Sequence, residues 1–220
     1  MIQIEKLTVA YGRTIALDAL DLELRPGITG LFGPNGSGKS TLLRAIAGLL
    51  RPTAGEIKLD GRHVFARDEA FRRRVGYSGH QTGLYERLSV RENLLLFARL
   101  YGATQSRVDG LIGSLGLEDR RDVPAGALSA GGKRSASVAR ALLHSPDVLL
   151  LDEPYANLDD DAAERISMAV QEWRQPHRVG VIATHGAKRV KGFADASLIL
   201  QRAHAVSYRI RVPADPETEA

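Results

Sequence analysis

Gly33-Pro34-Asn35-Gly36-Ser37-Gly38-Lys39-Ser40 is the stretch on which the reading of this sequence turns. A short apolar run, 28–32, precedes it, and residues 40–50 follow with Leu42, Leu43, Ile46 and Leu49 on one helical face. Strand, glycine-rich loop and helix in that order turn consecutive backbone N–H groups toward one anion, and the helix N-terminus adds its partial positive charge. The loop fits G-x-x-x-x-G-K-[ST], which assigns Lys39 to the β- and γ-phosphates of a nucleotide and the Ser40 hydroxyl to Mg²⁺.

A second segment supports the first. Val148-Leu149-Leu150-Leu151-Asp152-Glu153-Pro154 is an apolar strand ending in two carboxylates, and the strand ends of an open α/β sheet are where ligands sit. Asp152 is therefore expected to orient Mg²⁺ or its water. Glu153 is placed to take a proton from water attacking the γ-phosphorus.

Around these segments, alternating residues predict antiparallel strands at 2–9 and 15–24 with a turn at Tyr11-Gly12-Arg13. A strand–loop–strand stretch is expected over 56–77, then helices over 90–101 and 105–115 ended by Gly102 and Gly116. A helix over 130–143 leads into 148–151, another covers 161–173, and 179–183 reads as a second buried strand. Alternating β and α with continuous apolar strands means a mostly parallel sheet covered on both faces. Segments 197–200 and 205–212 are expected to close the fold as a hairpin. The fold class is thus α/β: a phosphate-loop NTPase core, an N-terminal antiparallel β subdomain and an inserted helical subdomain at about 84–145. Residues 1–212 are expected to form one domain and 213–220 a flexible tail.

Composition narrows the function classes. The chain has 220 residues, 44% of them hydrophobic, enough for one sizeable core. It has no cysteine, which excludes a disulfide scaffold and thiolate metal sites. A net charge of +4 selects no partner. No signal-peptide pattern opens the sequence, and no apolar run approaches the roughly 18 to 20 residues that span a bilayer. Any membrane function therefore needs another chain. His63, His80, His144, His177 and His204 are scattered without a metal-ligand cluster and receive no role, and Arg72-Arg73-Arg74 reads as a solvated basic face.

Further segments resemble the ABC ATPase family over nearly the whole chain: Gln81, Leu128-Ser129-Ala130-Gly131-Gly132, Ala156-Asn157-Leu158-Asp159, and His185 after Ala183-Thr184. The resemblance implies ATP and Mg²⁺ as ligands, with nucleotide contacts from Tyr11 stacking on adenine and from Gly33, Pro34, Asn35, Gly36, Ser37, Gly38, Lys39, Ser40 and Thr41. It implies that Gln81 touches Mg²⁺ and the attacking water, that His185 holds the γ-phosphate, and that Asp159 crosses a dimer seam. Ser129 and Gly131 would contact the γ-phosphate held by a second cassette. That makes a homodimer closed around ATP the expected working form. Ala130 and Gly132 depart from the usual Leu-Ser-Gly-Gly-Gln, and losing the glutamine removes a polar contact near the partner's nucleotide.

The family also implies a membrane-spanning transporter subunit as partner, a peripheral place on the cytoplasmic face of the cell membrane, and no nucleic acid. Segment 76–85 with Leu88-Ser89-Val90-Arg91-Glu92-Asn93 resembles the haem-exporter ATPases of cytochrome c biogenesis. Drug, antibiotic and lipid exporter ATPases share most of these motifs. A soluble ABC ATPase acting on ribosomes or DNA is the reading from another class, and a single cassette without a long coiled-coil insertion speaks against it. Leu94, Leu95, Phe97 and Leu100 exceed one buried stripe, so part of that helix is expected to stay exposed for the membrane chain.

Overall fold

The computed structural model describes residues 1–64, 68–201 and 203–210; the expected tail, 213–220, lies outside them. The alternation near the N-terminus forms β1 (Ile2–Tyr11) and β2 (Thr14–Leu24), antiparallel, with Tyr11 opposite Thr14 across the turn. With β4 (Ala54–Leu59) and β5 (Arg62–His63) they make a four-stranded sheet ordered β2-β1-β4-β5.

The second sheet has six strands: β3 (Gly27–Phe32), β6 (Val75–Ser78), β7 (Val148–Asp152), β8 (Val179–Ala183), β9 (Ala196–Gln201) and β10 (His204–Ile210). Their order is β10-β9-β3-β8-β7-β6, parallel throughout except for the β9–β10 hairpin. Both expectations, a mostly parallel core and a closing hairpin, match this sheet.

Continuous apolar strands arise because the sheet separates two cores. Val148 and Leu150 of β7 join Val179, Val181 and Ala183 of β8 in one cluster, where α1 (Lys39–Ile46) packs through Leu42, Leu43 and Ile46 between the two sheets. Leu149, Leu151 and Ile182 point the other way. They meet α3 (Val90–Tyr101), α4 (Gln105–Ser114), α5 (Ala130–Leu142) and α6 (Asp160–Trp173). A fully buried aliphatic side chain contributes about 1.5–3 kcal/mol, and neither face of β7 or β8 is left to solvent.

Two boundaries differ from expectation. The stretch read as strand–loop–strand contains α2 (Glu69–Arg73), whose Asp68 side chain accepts from the Ala70 and Phe71 N–H groups. Five residues are too few for a helical period to register. Helix α1 stops at Ile46 instead of running to 50, because Gly48 takes a left-handed φ of 68°. Helix α5 opens at Ala130 as expected, with Ser129 as its N-cap, so the Ser-Ala-Gly-Gly turn is the start of the helix itself.

Helix α3 opens with a reciprocal cap: the Ser89 hydroxyl accepts from Glu92 N–H and the Glu92 carboxylate accepts from Ser89 N–H. One turn on, the fully buried Asn93 fastens the preceding loop. Its Oδ1 accepts from Tyr85 N–H at 2.8 Å, and its Nδ2 donates toward the carbonyls of Tyr85, Leu88 and Ser89 at 2.9–3.0 Å. Asn93→Ala leaves those backbone groups without partners and is expected to cost about 1–3 kcal/mol. Urea unfolding of the variant measures this, and an unchanged midpoint would show that the loop holds without the amide.

Candidate functional site

Parallel pairing puts the carboxyl ends of β3, β8, β7 and β6 on one edge of the sheet, so four segments far apart in sequence open onto the same place. From β3 comes the phosphate loop, from β7 Asp152 and Glu153, from β8 Thr184 and His185, and from β6 Gly79, His80 and Gln81. A cleft of about 390 Å³ there is lined by Asn35 to Thr41 together with Ala16, His80, Asp152, Glu153 and His185.

The loop's shape depends on glycine at two points. Gly33 has φ 149° and a Cβ there would lie 2.2 Å from the Leu200 carbonyl; Gly38 has φ 99° and its Cβ would lie 2.5 Å from the Ala16 carbonyl. Lys39 opens α1 and folds back, its Nζ donating to the carbonyls of Gly33 at 2.8 Å and Pro34 at 3.0 Å. Burial lowers its pKa, while the Glu153 and Asp152 carboxylates oppose that shift. Ser37 is buried and its Oγ has no hydrogen-bond partner, so the loop presents an unsatisfied hydroxyl as well as its N–H groups.

Glu153 takes a left-handed backbone, φ 50°, an unusual conformation for a side-chain-bearing residue. The turn is held by its N–H donating to Ala183 O at 2.8 Å. Its Oε2 accepts from His185 N–H at 3.3 Å, and its Oε1 lies 3.2 Å from His185 Nε2. Oε1 completes no hydrogen bond in that geometry. Among the described residues no three His, Cys, Asp or Glu side chains cluster as a metal site.

A second, adjoining cleft of about 710 Å³ shares Ser40, His80 and Asp152 with the first and adds Gln81, Arg44, Arg72, Tyr101, Arg140 and His144. Ser40, Gln81 and Asp152 thus face one space, and as hard oxygen donors they suit Mg²⁺. The wall is cationic. Arg140 donates to Tyr77 O at 2.8 Å and lies over the Phe97 ring, but its buried Nε is unpartnered, and burial lowers its pKa. His144 stacks on Tyr101 at 4.2 Å, and burial pushes its pKa down to about 4, with Arg140 adding to the shift. The basic run is therefore no uniform solvated face: Arg73 pairs with Glu69, Arg74 bridges Asp60 and Asp147, and Arg72 lines this cleft.

Tyr11, Ser129 and Gly131 are not among the residues lining either cleft. Tyr11 is exposed at the hairpin end. Ser129, itself exposed, caps α5, accepting from Gly132 N–H at 3.1 Å, and Gly131 lies against the Asn157 carbonyl. Asp159 caps α6, accepting from Ala162 N–H at 2.7 Å. Sequence reasoning left out His80, which follows a strand end without any pattern of its own, and Arg134, which donates to Gly79 O at 2.7 Å from inside the fold.

The family model for the ABC transporter matches residues 17–156. The ABC transporter ATP-binding protein NatA of Bacillus subtilis is 34% identical over 187 residues, covering 83% of this chain and 76% of NatA. The cytochrome c biogenesis ATP-binding export protein CcmA of Cupriavidus necator is 38% identical, covering 78% of this chain and 77% of CcmA. The Nod factor export ATP-binding protein I of Burkholderia thailandensis is 42% identical over 73% of this chain, which spans only 53% of that protein. A dimeric bacterial ABC transporter cassette superposes with a TM-score of 0.87 at 26% identity, over 96% of this chain and 98% of that one. A post-hydrolysis structure of the same cassette with ADP and Pi gives 0.85 at 25% identity, over 96% and 98%. With its phosphate loop, its paired carboxylates and its histidine gathered at one sheet edge, the chain belongs to the ABC transporter family as an ATP-binding cassette that hydrolyses ATP.

Proposed function

We propose that this chain is the motor subunit of an exporter, closing with a second cassette around ATP and driving a separate membrane-spanning subunit. The observation that carries the reading is a division of labour: Lys39, Ser40, Asp152, Glu153 and His185 share one cleft, whereas Ser129 and Gly131 lie outside it. One cassette thus supplies the phosphate loop, and the exposed end of α5 is free to complete the partner's site. A dimeric solved neighbour supports this arrangement.

In this mechanism, the N–H groups of residues 36–41 and the Lys39 ammonium hold the β- and γ-phosphates. Ser40, Asp152 and Gln81 would hold Mg²⁺, which neutralises charge on the phosphate oxygens. Glu153 accepts the proton of the attacking water. His185 orients the γ-phosphate against that base, and Tyr11 stacks on adenine from the hairpin. The Ser129 hydroxyl and Gly131 N–H contact the partner's γ-phosphate, and Asp159 lies at the seam. The exporter reading rests on CcmA and the Nod factor protein, both relatives named for export. Haem delivery for cytochrome c biogenesis is the specific cargo we propose, supported by CcmA and by segment 76–85; the identity of the membrane chain that copurifies in mild detergent decides it.

The coupling surface is the cationic cleft and the neighbouring rim of α3. Leu94 is buried, but Leu100 is 59% and Tyr85 57% exposed. This rim adjoins Gln81, so a segment of the membrane chain seated there would sense the nucleotide site and sit at the inner face of the membrane.

Lys39→Ala is expected to weaken MgATP binding, and parent affinity in a direct titration would remove the phosphate-loop assignment. Glu153→Gln keeps the shape of the site without its base, so turnover should fall about 10²–10⁴-fold. ATP then remains bound and a closed dimer should accumulate on sizing columns with MgATP. Hydrolysis at the parent rate would transfer the role of base elsewhere. Leu100→Glu, at an exposed position, should leave melting temperature and MgATP affinity unchanged while abolishing transport and pull-down of the membrane chain. Retained pull-down with a stable fold would take α3 out of the coupling path.

A further inference from the structure

Helix α5 carries a row of donors that the hydrolytic mechanism does not use. Arg134, Ser137 and Arg140 recur at intervals of three residues and face one side of the helix. Each donates to a main-chain carbonyl in the segment that runs from β6 through Gln81 to Thr82. Arg140 Nη2 reaches Tyr77 O at 2.8 Å, Arg134 Nη1 reaches Gly79 O at 2.7 Å, and Ser137 Oγ reaches Thr82 O at 2.9 Å. Of the three, only Arg134 also reaches β7, where the same Nη1 lies 3.4 Å from Asp152 O.

Arg134 is 7% exposed. Burial lowers its pKa, and the Asp152 and Glu153 carboxylates oppose that shift. A guanidinium taken out of water is costly unless its acceptors repay the loss. Its acceptors here are the carbonyl two residues before Gln81 and the carbonyl of Asp152 itself. A single nitrogen, Nη1, stands between the two carbonyls, one at the end of β7 and one just past β6. At the other end, α5 begins at Ser129, five residues away, about 7.5 Å along the axis. A helix stretch that short moves as one piece.

We propose that Arg134 is a positioning residue: it locks the partner-facing end of α5 in register with Asp152 and the Gln81 loop, so hydrolysis at this chain's own phosphate loop depends on how its α5 end is seated against the second cassette. The inference rests on the reading above that Ser129 and Gly131 face the partner's nucleotide.

Arg134→Met keeps a long apolar stem and removes every donor. It should lower kcat about 10–100-fold, as a displacement of about an ångström does, with KM and the MgATP affinity of the monomer near the parent values. A fall in kcat without a rise in KM marks alignment in the transition state and not nucleotide binding. Should the methionine variant fail to fold, Arg134→Lys keeps the charge and one anchor: parent-like melting and MgATP affinity with a kcat below the parent's is the expected result. Parent kcat in either variant, or a kcat that falls only in step with melting temperature and MgATP affinity, overturns the assignment and makes Arg134 a packing residue. Ser129→Ala, assayed beside them, separates the two ideas. Parent-rate hydrolysis by Ser129→Ala overturns the partner-site reading and the coupling with it. Slow Ser129→Ala beside parent-rate Arg134 variants overturns the positioning role alone.

Discussion

Four parallel strands end at one edge of a sheet that is buried on both faces, and every hydrolytic group hangs from those ends. Strands β7 and β8 send alternate side chains into two separate cores, so neither can shift register by one residue without exchanging Val148 and Leu150 for Leu149 and Leu151. That constraint fixes Asp152 at the level of Ala183, so Glu153 follows one residue short of His185 and reaches it through its side chain. The geometry of the chemistry is inherited from the packing of aliphatic side chains beneath it.

Above that platform the electrostatics are set by who is desolvated. Lys39 sits among loop carbonyls with Asp152 and Glu153 nearby, so its charge is held in place before a triphosphate arrives. The adjoining cleft has the opposite imbalance: Arg140, Arg72 and Arg44 line it, and the acid that lines it, Asp152, belongs to the nucleotide site.

Helix α5 joins these regions. Its cap Ser129 and first residue Ala130 are exposed, its middle is pinned to the carbonyls around Gln81, and just beyond its far end His144 stacks on Tyr101 of α3. The helical layer and the sheet share one core through Leu149, Leu151 and Ile182, so displacement of α5 is felt at both. Polar anchors on a packed helix give discrete positions where an apolar face alone would allow sliding.

The sequence by itself determined the phosphate loop, the carboxylate pair, the class of the fold and most helix spans, because each is written in a local pattern: glycine spacing, apolar runs and 3.6-residue periodicity. Helix α3 was legible to the residue, since Ser89, Glu92 and Gly102 punctuate both its ends. Helix α2 was not, because five residues carry no period. Only the tertiary structure decided the strand order, which places β8 between β3 and β7 and so brings His185 to Glu153. It also decided that His80 enters the cleft, that Ser129 and Gly131 do not line it, and that Arg134 reaches Asp152 across 18 residues of sequence. These are relations between segments distant in the chain, fixed by which apolar faces must be buried together, and no local pattern encodes them.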